Sequence, residues 1–247
     1  MYLIGGSWIL IAAAVIPAAI LLKYIYNTDK LDRESPRILT GLVFAGIIST
    51  LIAIAGEEAG TFILERIFGD TESTAYNLCL YFIVVGVSEE GGKYIMLKKR
   101  TWHSPEFNCQ FDGVVYATFV SLGFALWENI EYVMMFGLHT AMVRAITAVP
   151  GHCCFGVFMG VFYGLAKRNA NYGHPMKSKM CRILALVVPV LIHGTYDFVC
   201  TMKTGNSSLL FLCFIAVVFL ASFRLVRNMA DHDRFIDIQD NYFPWIK

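Results

Sequence analysis

Apolar stretches of about twenty residues recur along this chain, near 3–26, 38–56, 76–97, 111–136, 141–166, 182–202 and 208–227. That length crosses the hydrocarbon of a bilayer as a helix. Lipid offers the backbone no hydrogen-bond partners, so repeated runs of this kind have one solution, a bundle of membrane-spanning α-helices. The spacing therefore predicts an all-α, polytopic transmembrane helix bundle of about seven spans. Composition agrees: 57% of residues are hydrophobic and only 16% charged, against about 25% charged in soluble domains, and the mean hydropathy is +0.57. The stretch Met1 to Tyr26 has no basic leading segment, and Lys23 follows its apolar run, so it reads as a first span rather than a cleaved leader.

The 247 residues suit one helical membrane domain. We divide them into 1–75, two spans plus an acidic extracytoplasmic connection; 76–202, a helical core; and 203–247, a last span with a cytosolic tail. Glu57, Glu58, Glu65, Arg66, Asp70 and Glu72 mark 57–75 as a connection holding a short interfacial helix. Basic residues cluster on alternate connections: Lys23, Lys30, Arg33 and Arg37; Lys98, Lys99 and Arg100; Lys167, Arg168, Lys177, Lys179 and Arg182; then Arg224, Arg227, Arg234 and Lys247. The remaining connections hold Arg66, Arg144 and Lys203. The positive-inside rule then puts the N-terminus outside and the C-terminus in the cytoplasm. Phe243-Pro244-Trp245 in the tail is expected to touch the interface. A net charge of +1 gives a nucleic-acid partner no electrostatic support.

Ionisable groups at membrane depth are costly and are kept for a reason. Glu89 and Glu90 are adjacent inside an apolar stretch, with Lys93 four residues after the first. That spacing and order favour a helix ion pair. Glu90 projects about 100° from Glu89, so the two can serve different partners. Gly86, Gly91 and Gly92 allow close approach. Glu128, with Asn129 beside it, lies on a second stretch, His152 on a third, and His193 with Asp197 on a fourth. At 1.5 Å per residue, Glu90, His193, His152 and Glu128 lie about 12, 16, 22 and 25 Å from the cytosolic ends of their helices. All four fall within the slab and can converge on one cavity. Asp197, four residues after His193, can fix the tautomer that the imidazole presents. Pro189 frees the carbonyl of Ala185 and predicts a kink below His193. Asp112 and Asn108 read as interfacial, capping or solvated. Seven cysteines without a CxxC pair read as buried small hydrophobes, since apolar surroundings suppress the thiolate.

Taken singly, each group has a structural reading: an ion pair, a polar network, a core histidine. Together on four helices they point to a shared site. Their order and spacing resemble a known family. Glu89-Glu90-Gly91-Gly92-Lys93 fits EExxK, Phe124 to Asn129 fits FxxxEN, an isolated His152 follows, and His193 to Asp197 fits HxxxD, with Phe111-Asp112-Gly113 nearby. The set is similar to the PrsW family of bacterial membrane proteases, relatives of the CAAX prenyl endopeptidases, over residues 80–200. The CAAX enzymes carry His where Glu128 stands and Asn where Asp197 stands, so this chain departs from them in the PrsW direction. The resemblance implies a CAAX-protease-like core and a multi-pass protein of the bacterial cell membrane. It implies an intramembrane endopeptidase making the first (site-1) cut in a membrane-anchored anti-sigma factor, which frees a sigma factor in a stress response.

Carried over, the resemblance implies Glu89, Glu90, Glu128, His152 and His193 as catalytic, with Lys93, Asn129, Asp197 and Asp112 in support. Amide hydrolysis needs an activated water, a base, and donors for the oxyanion. Glu89 or Glu90 is expected to activate the water, Glu89 by analogy, and His193 to stabilise the oxyanion or protonate the leaving amine. No cofactor is expected. An alternative is a zinc site of His152, His193 and Glu89, although no HExxH spacing occurs. Two other classes stay open: a proton-coupled transporter, which would show internal repeats absent here, and a non-catalytic peptide-binding relative.

Overall fold

The computed structural model describes residues 2–202 and 205–236, so the expected interfacial contact of Phe243–Trp245 lies outside the described residues. The elements run α1 (Tyr2–Thr28), α2 (Pro36–Ile67), α3 (Thr74–Leu78), a π-helical segment (Cys79–Val85), α4 (Gly86–Thr101), α5 (Asp112–Phe136), α6 (Leu138–Ile146), α7 (Ala148–Asn171), α8 (Pro175–Thr201) and α9 (Ser207–Asp231). All regular structure among the described residues is helical, apart from one antiparallel bridge between Cys109 and Phe235. Six segments are long and apolar enough to cross a membrane: Leu10–Thr28, Pro36–Ile67, Asp112–Phe136, Leu138–Asn171, Pro175–Thr201 and Ser207–Asp231. The remaining expected span is the rod formed by α3, the π segment and α4, where Glu89, Glu90 and Lys93 reside. A π segment inserts an extra residue into the turn and often accompanies a site; here it directly precedes the helix that carries the paired glutamates.

Two expectations change. Residues 57–67 are not connection but the last three turns of α2, so Glu57, Glu58, Glu65 and Arg66 are helical. The link is only 68–73, and the short helix after it is α3, N-capped by the Ser73 hydroxyl. Residues 141–166 are not one helix either: the chain breaks at Thr147, which separates α6 from α7. Gly137, at φ +82°, makes the turn from α5 into α6, where a side chain would be strained. Pro189 lies inside α8, which runs on past it, and Pro150 sits in the tolerant first turn of α7.

Helix α5 is the centre of the bundle and the most enclosed span, packed by α1, α2, α4 and α7. Small residues let the backbones meet. A Cβ on Gly123 would strike the backbone carbonyl of Val43 in α2, and one on Gly160 the backbone of Gly113 and Val114 in α5. Close backbone contact of this kind is the packing solution used where lipid supplies no hydrophobic drive between helices. Gly123→Ala should therefore cost about 1–3 kcal/mol through overpacking against a rigid carbonyl. A thermal melt in detergent would read this as a lowered midpoint. An unchanged midpoint would mean the crossing yields. Many large apolar side chains outside this core, such as Leu51, Phe62, Leu209 and Val217, are exposed, as lipid-facing residues should be.

The seven cysteines are all free thiols. Cys109, Cys153 and Cys154 are buried as expected, whereas Cys200 and Cys213 are exposed on helix surfaces.

Candidate active site

Helices α4, α5, α7 and α8 bring the four sequence-predicted groups together. Lys93 Nζ lies 3.2 Å from Glu89 Oε2, 2.7 Å from Glu90 Oε1 and 3.0 Å from His152 Nδ1. It also sits 3.9 Å above the ring of Phe124, where the aromatic face favours a cation. The other imidazole nitrogen of His152 meets Glu128 Oε2 at 2.8 Å. His193 bridges two acids: Nδ1 is 3.0 Å from Glu90 Oε1 and Nε2 is 3.3 Å from Asp197 Oδ2. One bonded network thus spans four helices. The aromatic residues fix its geometry, since His193 stacks on Phe155 at 4.7 Å between centroids and His152 meets the same ring edge-on.

The glutamates divide their work, though not wholly as expected. Both converge on Lys93, about one turn further along α4. Only Glu90 also takes His193 at hydrogen-bond distance; Glu89 lies 3.9 Å from it. Glu90 is fully buried, whereas Glu89 is 7% exposed and lines a cavity of about 440 Å³. Glu128, His152, His193 and Asp197 line the same cavity. It opens where α5 ends and α7 begins, opposite the basic ends of α4 and α7, which carry Lys98, Lys99, Arg100 and Arg168.

Sequence reasoning missed two lining groups. Arg144, on α6, pairs with Glu128 Oε2 at 2.9 Å, and its Nε donates to Asn129 Oδ1 at 3.0 Å. Asn129 is itself buried and donates to the Ala14 carbonyl in α1 at 3.0 Å, so it supports Arg144 rather than facing the cavity. The signal for Arg144 was there: it is one of three basic residues on the connections poor in them. Glu57, which read as interfacial and bland, lines the cavity from α2, because that helix continues past the apolar run. Asp112, expected in support, is not part of the cavity. It begins α5, sixteen residues before Glu128 and so about 24 Å away along the helix. There its Oδ2 accepts the backbone N–H groups of Asn108 and Cys109. Of the three glycines, Gly92 approaches the Ser49 carbonyl of α2 and Gly86 that of Val190 in α8, while Gly91 faces open space.

The donor set also bears on metal binding. Ligand atoms of Glu89, Glu90 and His152 lie within 4.8 Å of one another, and zinc accepts such groups. Glu90 stands in this set where His193 was expected. The Lys93 ammonium lies within 3.2 Å of all three residues and already occupies the point where they converge. An ion at that point would clash with it, so the arrangement does not fit a metal there.

A sequence profile of the family described as "PrsW family intramembrane metalloprotease" matches residues 34–224. Protease PrsW of Oceanobacillus iheyensis is 29% identical over 219 residues, covering 88% of this chain and 95% of that protein. Protease PrsW of Bacillus subtilis is 32% identical over 193 residues, covering 78% and 83%. That of Halalkalibacterium halodurans is 28% identical over 225 residues, covering 91% and 99%. No solved structure gives a significant match.

Proposed function

Because the chain belongs to the PrsW family of intramembrane proteases, and so is a peptidase of the bacterial membrane, we propose that Glu89 activates a water to hydrolyse a membrane-anchored protein, an anti-sigma factor at its first cleavage site. The carrying observation is that Glu89 is the member of the glutamate pair that reaches the cavity, while Glu90 is enclosed between Lys93 and His193. Glu89 takes a proton as the water oxygen attacks the scissile carbonyl carbon. His193, held between Glu90 and Asp197, gives a proton to the leaving nitrogen as the C–N bond breaks. The Arg144 guanidinium lines the same cavity and offers positive charge to the oxyanion, while the neutral His152 ring, accepting from Lys93 and donating to Glu128, holds these two groups in place. Glu90 and Lys93 act by positioning. The choice of an anti-sigma factor rests on the family resemblance. The cavity's opening opposite the basic helix ends favours a cut on the extracytoplasmic side.

The test is reconstitution of the purified protein with single-span anti-sigma factors, followed by N-terminal sequencing of the fragments. The expected result is one cut at the extracytoplasmic edge of the substrate's span, retained after chelation with no bound zinc. Intact substrates of every kind tried would overturn the substrate assignment. Activity lost on chelation and restored only by zinc would replace the water-glutamate mechanism with a metal one, in which Lys93 must swing away.

A further inference from the structure

The end of the bundle opposite the catalytic cavity holds a second group of buried acids, and the mechanism makes no use of it. It gathers three segments remote in sequence: residues just past α1, the loop before α5, and the strand-like stretch after α9. That stretch is pinned by backbone bonds, Gln110 N–H to the Arg234 carbonyl at 3.1 Å and Ile236 N–H to the Asn108 carbonyl at 2.7 Å. Asp233 Oδ1 accepts the Phe111 N–H at 2.8 Å, and Asp112 Oδ2 accepts two more N–H groups, so one oxygen of each carboxylate is committed to the backbone. The other oxygens are not. Asp112 Oδ1, Asp233 Oδ2, Asn108 Oδ1 and both carboxylate oxygens of Asp29 are buried and accept no hydrogen bond from any described residue. Asp29 is 1% exposed. Ligand atoms of Cys109, Asp112 and Asp233 lie within 4.8 Å of one another, and Asp29 is outside that set.

Every one of these orphaned atoms is an acceptor, and an acceptor left buried without a donor is costly. The basic side chains nearby do not answer them. Arg33 is exposed and donates from Nε to the Asp29 backbone carbonyl rather than to its carboxylate. Arg234 is exposed at the rim. A set of converging oxygens carrying several negative charges is what a hard divalent cation requires. We propose that Asn108, Asp112 and Asp233 bind one divalent cation through oxygen, with the Cys109 sulfur at the edge of the site. The ion ties the loop that opens α5 to the segment after α9. Asp112 is thereby a cation ligand and not a helper of the catalytic glutamates.

The experiment uses the full chain in detergent, carrying Glu89→Gln and Glu90→Gln so that the catalytic carboxylates contribute no charge. Mn²⁺ is titrated into chelator-treated protein, and binding is read from loss of the paramagnetic resonance of the free aqueous ion. The proposal expects about one equivalent bound, displaced by Ca²⁺, with affinity lowered about 10-fold or more by a further Asp233→Asn or Asp112→Asn. Mn²⁺ should also raise the thermal midpoint of the parent and leave that of the Asp233→Asn protein unmoved. No bound equivalent, or one indifferent to both Asp233→Asn and Asp112→Asn, would overturn it. So would an Asp233→Asn protein whose midpoint Mn²⁺ raises as much as the parent's. Asp233→Asn in the otherwise native chain, still proteolytic and eluting as wild type, guards against simple misfolding.

Discussion

Glu89→Gln should abolish proteolysis while leaving the helices packed as they are. Glutamine has the shape of glutamate and keeps an oxygen for Lys93, which also retains Glu90 at 2.7 Å and His152 at 3.0 Å. What disappears is the only part of the pair that can take a proton from water in the cavity. Loss of a general base lowers turnover by about 10²–10⁴-fold, and the low-dielectric setting puts the expected loss at the upper end. Fragment yield from a reconstituted anchored substrate reads the activity, and the thermal midpoint reads the fold. A variant with more than about a tenth of native turnover would move the base elsewhere.

Lys93→Met should be the most damaging change to the fold. The ammonium is fully enclosed, touches three polar partners and lies over Phe124. Methionine fills most of the volume but removes the charge, leaving two carboxylates and an imidazole in a space without a cation. Breaking a buried ion pair from one side costs about 3–5 kcal/mol, because the partner stays buried and uncompensated. The diagnostic is partial rescue: Lys93→Met with Glu90→Gln should be more stable than Lys93→Met alone, since the orphaned charge is removed with its partner. Strict additivity of the two losses in chemical or thermal unfolding would show that Lys93 acts through packing only. Both proteins should be inactive, so stability and catalysis are read separately.

The spans and most of the cavity were legible because each leaves a local mark. A long apolar run is visible to hydropathy, and Glu89, Glu90, Glu128, His152 and His193 stand out as ionisable groups inside such runs. The pairing of Lys93 with Glu89 and of His193 with Asp197 follows from four-residue spacing on a helix. What was not legible depends on how separate helices meet. Lys93 also reaches His152, fifty-nine residues away, and His193 reaches Glu90, a hundred and three away; no period in the sequence encodes either. Glu57 was misread because falling hydropathy looks like a helix end, although the helix persists for another three turns. Arg144 was missed because α6 was merged with α7 across the break at Thr147, although Pro150 in the first turn of α7 marks a helix start there. Asp112 was given a supporting role on the resemblance of Phe111-Asp112-Gly113, but it stands at the other end of the bundle, where its neighbours are Asp233 and Cys109.

The buried acids at the end of the bundle opposite the cavity, outside the spans, are held differently from those in it. Burial and the nearby Asp233 and Asp32 carboxylates push Asp29 up to about 6. Burial and the Glu106 charge push Glu34 up to about 8, against the lowering effect of Tyr116. No lysine is enclosed among them as Lys93 is in the cavity, and the two ends of the molecule thus handle buried negative charge by different means.

The central claim is that Glu89 and His193 act on the same scissile bond. It is tested most directly by single-turnover cleavage of one anchored substrate by Glu89→Gln, His193→Ala and the double variant. Groups acting as a unit lose activity non-additively. The double variant should therefore be no slower than about threefold below the worse single variant. Losses that multiply would contradict a shared site, and native rates in either single variant would contradict it outright.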